Sequence, residues 1–182
     1  MNKTVNIKSI RRDGLLRPLK AEDLELVLQW RNSDRVRINM FSTHVISAEE
    51  HRDWYLNLDY NTSRYLIFEY QQRPVGLVNF TNIDQYNNRC NWGFYLGETD
   101  VPQGTGLLMG CLSMEYVFPV LNIRKLCSQV LGNNEKSIKY HHKLGFKEEG
   151  RLLKHVLHNG IYEDVIIFAM FKNDWEGVII PR

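Results

Sequence analysis

Asn134-Glu135-Lys136-Ser137-Ile138-Lys139-Tyr140-His141-His142-Lys143-Leu144-Gly145-Phe146 reads as one helix with both ends marked. Asn133 or Asn134 supplies the N-cap, because a short polar side chain can accept from the exposed N–H groups of a first turn. Gly145 closes the helix in the manner of a C′ glycine. Just upstream, Arg124 to Leu131 reads as a strand, rich in apolar and branched residues. Before that strand a helix runs from about Thr105 to Phe118, and Pro119 stops it. A helix between two neighbouring strands demands a parallel crossover. That single crossover sets the fold class, because the remaining strands read as antiparallel.

Outward from this unit the chain begins with a short strand, Leu15 to Leu19, where Pro18 suggests a sheet edge. From Glu22, Leu24, Val27, Leu28 and Trp30 or Arg31 recur at helical spacing. Asn32-Ser33 is expected to end that helix and cap a short second one through Val36. Ser47-x-x-Glu50 is a capping box that opens a third helix, with Trp54, Tyr55 and Leu58 on one side. Arg64 to Tyr70, Val75 to Ile83 and Arg89 to Leu96 read as strands joined by polar turns. Asn159-Gly160 marks a hairpin between two final strands. The expected order is β-αα(α)-βββ-α-β-α-ββ. This is an α/β (α+β) fold: a mixed, mostly antiparallel sheet of about seven strands with flanking helices.

The 182 residues, 43% hydrophobic and 24% charged, suit one domain over 1–182, with 1–13 left as a short tail or an extra strand. Lys and Arg number 23 against 21 Asp and Glu, a net charge of +2. That balance argues against a nucleic-acid partner. No apolar run approaches the ~18–20 residues that span a bilayer, so no membrane association is expected. Met1 to Gly14 is polar and lacks the apolar stretch of a secretory signal. Cys90, Cys111 and Cys127 have no CxxC spacing and read as reduced core thiols of a cytoplasmic protein. No metal is expected.

Pro102-Gln103-Gly104-Thr105-Gly106-Leu107-Leu108 lies between a strand and a helix. Its glycines admit close backbone approach, and the helix start adds unpaired N–H donors and partial positive charge. Those properties suit a pyrophosphate. The spacing is neither a P-loop nor a full GxGxxG, so a plain turn stands beside the phosphate reading.

The Asn134–Phe146 segment resembles the second conserved motif of the GNAT acetyltransferases: Asn, two residues, Ala or Ser, then a helix ending in Gly-Phe. The loop upstream resembles that superfamily's pyrophosphate motif, although Val101 stands where the family often has Arg or Gln. The resemblance implies a single N-acetyltransferase domain with splayed fourth and fifth strands and acetyl-CoA as co-substrate. It places the pantetheine arm along Trp92, Gly93, Phe94, Tyr95 and Leu96. The pyrophosphate falls on amides of Gln103, Gly104, Thr105, Gly106, Leu107 and Leu108. Asn134 and Ser137 complete the coenzyme side. The family commonly has a Tyr as general acid seven residues after the motif Asn. His141 occupies that slot here, and Tyr140 precedes it by one, a rotation of ~100° on a helix. Both remain candidates. His44, His51, Asp84 or a water chain stand as alternatives for the general base.

For the acceptor, Trp30-Arg31-Asn32-Ser33-Asp34, Asn39-Met40-Phe41 and Ile46-Ser47 to His51 resemble the UDP-amino-sugar N-acetyltransferases of pseudaminic acid biosynthesis. So do the stretches Gly76 to Asp84 and Asn91 to Leu96. The implied acceptor is the 4-amino group of a UDP-linked 4-amino-4,6-dideoxy sugar, attacked directly in a ternary complex. Arg31 and Arg37 offer fork donors for a diphosphate. His51 adds a donor, and Met40, Phe41 and Trp54 offer an apolar floor. Trp92 and Gln129 join the acceptor set; Gln129 stands where that family tends to carry an acid. A ribosomal-protein N-terminal acetyltransferase shares Asn-x-x-Ser and the Glu149-Gly150-Arg151 ending. A non-catalytic acyl-CoA or nucleotide-sugar binding module is the alternative of another class. A homodimer is consistent with such folds.

Overall fold

A computed structural model describes residues 13–176. The tail or extra strand considered for 1–13 therefore lies outside the described residues, apart from Asp13. The strands are β1 (Gly14–Pro18), β2 (Arg64–Tyr70), β3 (Arg73–Asp84), β4 (Arg89–Leu96), β5 (Lys125–Leu131), β6 (Lys147–His158) and β7 (Ile161–Phe171). The helices are α1 (Leu24–Asn32), α2 (Asp34–Arg37), α3 (Ala48–Leu56), α4 (Thr105–Val117), α5 (Glu135–Leu144) and α6 (Lys172–Glu176). A 3-10 turn over Ala21–Asp23 leads into α1. The order matches the sequence reading, with α6 added at the end.

The seven strands form one sheet in the order β1-β2-β3-β4-β5-β7-β6. Every neighbouring pair is antiparallel except β4 and β5, which the α4 crossover makes parallel. Pro18 does sit on an edge strand, where a missing N–H breaks no ladder.

The caps explain where the helices start and stop. Ser47 Oγ accepts from Glu50 N at 3.1 Å while the Glu50 carboxylate accepts from Ser47 N, closing the expected box. Asn134 Oδ1 accepts from Ser137 N at 3.1 Å. Gly145 adopts φ 96°, a left-handed stop open to glycine at little cost. Ser33 departs from its expected role. It occupies the N-cap position of α2, yet its hydroxyl donates back to Trp30 O at 2.7 Å and caps nothing.

Strand alternation divides the apolar residues between the two faces of the sheet. One face carries Phe68, Phe80, Trp92, Leu126 and Phe168 against Leu108, Met109, Met114 and Leu144 from α4 and α5. The other carries Ile67 and Leu77 against Leu19, Val27 and Trp30, with Trp54 and Tyr55 of α3 added. Each large side chain buried this way stabilises by roughly 1.5–3 kcal/mol. The sheet is thus held from both sides.

Candidate active site

The opening is built into the parallel pair. β4 and β5 share only three paired positions, Arg89 with Lys125, Cys90 with Leu126 and Asn91 with Cys127. Beyond them both strands continue, β4 to Leu96 and β5 to Leu131, without pairing. Their facing backbone N–H and C=O groups line a cleft and need partners there. A cavity of about 640 Å³ fills the gap, lined by Trp92 to Leu96, Ser128 to Leu131, Asn134, Ser137, Tyr140 and His141 among others.

Gly106 and Met109, in the first turns of α4, line the same cavity. Gly104 holds φ 99° at the N-cap, a left-handed conformation, and so turns the chain from the loop into the helix. Thr105 N donates to Pro102 O, and Leu108 N to Gly104 O. The N–H groups of Gly106 and Leu107, in the first turn, have no acceptor within the helix. Gly106 lines the cavity. Thr105 is buried, with its hydroxyl donating to Pro102 O at 2.8 Å, and Leu107 packs against the core. Together the first-turn donors, the helix dipole and Lys136 on the cavity wall suit an anionic group.

A second cavity of about 340 Å³ opens on the other face of the sheet, lined by Val27, Arg31, Ile46, Glu50, His51, Trp54, Tyr65 and Leu77. The two cavities share Met40, Asn79, Gly93, Phe94 and Tyr95, so they meet across β4. Asn79 lies over Gly93, where a Cβ would collide with its side-chain oxygen. Asn79 lies in the family-like stretch Gly76 to Asp84, where no site role is expected of it from sequence. Its signal was a polar residue on the face where Leu77 is buried.

The expected catalytic pair points in two directions. Tyr140 Oη donates to Gly106 O at 2.6 Å, tying α5 to the first turn of α4, and burial drives its phenol pKa up. His141 is 1% exposed. Its Nδ1 lies 2.7 Å from Ser137 O and its Nε2 2.9 Å from Ser128 Oγ. Burial pushes its pKa down to about 4, against a smaller opposite effect of the Ser137 bond. The imidazole is therefore neutral at pH 7.

The other expected residues are placed as follows. Phe94 and Leu96 pack their side chains on the α4–α5 face, whereas the Tyr95 ring joins the opposite cluster. Trp92, read as an acceptor residue, stands in the aromatic stack under α5, with Phe94, His141 and Phe146 at centroid distances of 4.3, 5.6 and 5.3 Å. Met40, Phe41 and Gln129 line the first cavity, and Arg31 and His51 the second. His51 stacks on Trp54. Gln103 does not line either cavity. Of the base candidates, His44 bonds Ser42 and Glu50 on the surface and Asp84 bonds Asn87 in a turn. His51 alone of the three lines a cavity.

Arg31 and Arg37 are the expected forks for a diphosphate. Each spends part of its fork on the loop between α2 and α3. Arg31 Nη2 donates to Ser42 O at 2.8 Å and Arg37 Nη1 to Thr43 O at 2.7 Å. Arg31 Nη1 and Arg37 Nε remain buried without a partner. Among the described residues no group of three or more His, Cys, Asp or Glu is arranged to hold a metal ion. No described helix is long and apolar enough to cross a membrane.

A sheet that parts after a short parallel pair, with a glycine-turned helix start at its mouth, defines an α/β acyltransferase of the acyl-coenzyme A type. Residues 15–147 match the model of the acetyltransferase (GNAT) domain family, and the chain belongs to it. It is an acetyl-CoA-dependent N-acetyltransferase. Its relatives include the spermidine N(1)-acetyltransferase of Escherichia coli K12, 30% identical over 88% of this chain and 87% of that protein. Acetyltransferase PseH of Campylobacter jejuni is 28% identical over 70% of this chain and 79% of its own. The crystal structure of Vibrio cholerae spermidine N-acetyltransferase with CoA and spermine shares the fold at TM-score 0.84 and 22% identity, covering 91% of this chain and 99% of that one.

When bound, acetyl-CoA supplies the activated thioester. The chain's own contribution is to fix it. The first-turn amides of α4 and Lys136 would face its negative charge, Asn134 Oδ1 is engaged as the helix cap so that only its amide nitrogen could serve a ligand, and the β4 edge beyond Asn91 would offer main-chain partners.

Proposed function

We propose that the acceptor is the 4-amino group of a UDP-linked 4-amino-4,6-dideoxy sugar, as the relationship to PseH suggests. The observation that carries this reading is Arg31, a cation on the acceptor cavity with a buried Nη1 that has no partner, beside a Glu50 already engaged by His44. The charged residues lining the two cavities are Arg31, Arg35, Lys136 and a single acid, Glu50. A polyamine carries several positive charges and needs carboxylates to replace its water. A nucleoside diphosphate needs the reverse.

Arg31 supports this in detail. Burial lowers its pKa, Tyr95 opposes that, Arg37 adds to it, and Glu50 opposes it weakly. A buried guanidinium N–H without an acceptor is costly, and phosphate oxygens satisfy it. Met40, Ile46 and Trp54 give the same cavity an apolar wall for a deoxy sugar face. The amine then reaches the thioester where the cavities meet, beside Asn79 and Gly93.

The test is thiol release from acetyl-CoA with UDP-amino-sugars, spermidine and N-terminal peptides offered in parallel. Turnover of the nucleotide sugar is expected, with Arg31→Ala raising its KM by about ten-fold or more, the loss of one charge-assisted bond. Preferential turnover of spermidine or a peptide would overturn the acceptor assignment.

A further inference from the structure

The vertex of the splay holds a buried pair that the coenzyme scaffold leaves unused. Asn91 and Cys127 are the last paired positions, and Ser128 is the next residue on β5. Ser128 faces the core, between Leu126 and Val130, where an apolar residue would be expected. Its hydroxyl sits 2.9 Å from His141 Nε2 and 3.4 Å from Trp92 O. Both Ser128 and His141 line the coenzyme cavity.

The direction of this chain of bonds follows from the shorter contact at each ring nitrogen, Ser137 O at 2.7 Å rather than Ser137 Oγ at 3.4 Å for Nδ1, and Ser128 Oγ at 2.9 Å for Nε2. A carbonyl oxygen only accepts, so His141 Nδ1 carries the ring proton and donates to Ser137 O. Nε2 is then an acceptor, and the Ser128 hydroxyl donates to it at 2.9 Å in preference to the Trp92 carbonyl at 3.4 Å. The Oγ lone pairs are left free. A hydroxyl donating to a neutral imidazole, itself oriented through its other nitrogen, is the arrangement of an activated nucleophile. The opposite arrangement, with Ser128 giving its proton to a thiolate, is disfavoured because Nε2 has no proton to return.

We propose that, when no amine occupies the acceptor cavity, Ser128 takes the acetyl group from acetyl-CoA and releases it to water, making the protein a slow acetyl-CoA hydrolase. The inference rests on coenzyme binding in the β4–β5 cleft. In the first step the Ser128 Oγ–carbonyl bond forms and the carbon–sulfur bond breaks. The hydroxyl proton passes to His141 Nε2 and from there to the departing sulfur, giving free CoA. In the second step water attacks the Ser128 ester, losing its proton to His141. The Oγ–carbonyl bond breaks, the proton returns to Oγ, and acetate leaves. The low basicity that burial imposes on His141 makes both steps slow, because a weak base removes a proton poorly. It also keeps the imidazole ready down to mildly acidic pH.

The experiment needs no acceptor. Protein is mixed with acetyl-CoA, free thiol is followed, and acid-quenched samples are digested with trypsin. An acetyl group is expected on Ser128 in the peptide Leu126 to Lys136. Hydrolysis is expected to fall about 100-fold in both Ser128→Ala and His141→Gln. Nitrogen-15 NMR at pH 7 should show the Nδ1–H tautomer of His141. Should Ser128→Ala not fold, the His141→Gln rate, the adduct site and the tautomer still decide the matter. An adduct on Cys127, an Nε2–H tautomer, or variant rates within two-fold of the parent would overturn the proposal. So would binding of acetyl-CoA, seen calorimetrically, with no adduct and no hydrolysis. Absence of binding would instead overturn the coenzyme site itself, and this proposal with it.

Discussion

His141 makes the stability of this protein depend on pH in a direction that can be stated beforehand. Its folded-state pKa is about 4 against an ordinary 6.5, because burial penalises the imidazolium. The folded protein therefore binds that proton less readily than the unfolded chain. The stabilisation is complete above about pH 6.5 and is lost as the pH falls toward 4. At about 1.4 kcal/mol per tenfold change in proton affinity, the full contribution is about 3 kcal/mol, and about 2 kcal/mol of it is gone by pH 5. The neighbours of the ring offer no compensating charge. Phe146, Phe168, Trp92 and Phe94 surround it, and the neighbouring His142 disfavours a second positive charge. Urea unfolding of the parent and of His141→Gln at pH 7, 6 and 5 isolates the effect, since other titrating groups are common to both. The parent's advantage should shrink by about 2 kcal/mol between pH 7 and pH 5. A gap constant within about 0.5 kcal/mol would refute the argument that this histidine is buried and neutral.

Two further perturbations probe the coenzyme side. Gly110→Ala would set a Cβ 2.5 Å from Tyr140 Oη and 2.8 Å from a Leu144 methyl. It should destabilise by about 1–3 kcal/mol, somewhat offset by alanine's helix propensity, and should displace Tyr140 from Gly106; an unchanged melting temperature would mean that α4 and α5 stand further apart. Gly104→Asp puts a carboxylate and a left-handed strain, at φ 99°, where the coenzyme's phosphates are expected. Affinity for CoA by calorimetry should drop at least ten-fold, and an unaltered affinity would move the phosphates elsewhere.

Much of the architecture was legible because its signals are local. Ser47 and Glu50 are one turn apart, Asn134 caps the turn that follows it, and Asn159-Gly160 joins β6 to β7. Each of these uses only neighbouring residues and the geometry of a turn. The crossover of α4 followed from order alone. Ser33 misled because its hydroxyl had two local partners to choose from, and it took the Trp30 carbonyl behind it. Tyr140 and His141 could not be separated by counting, since both lie on α5 and only the positions of α4 and β5 decide what each one meets.

The amino-acid order by itself determined the helix caps, the parallel crossover, the glycine-turned loop and, through the resemblance of two linked motifs, the coenzyme. Only the tertiary structure decided where the sheet parts, which donors of Arg31 and Arg37 remain unspent, and that Ser128 meets His141 across thirteen positions of sequence. The physical reason is that caps and turns are satisfied within a few residues, whereas a buried polar pair is chosen by whichever elements the packed core brings together.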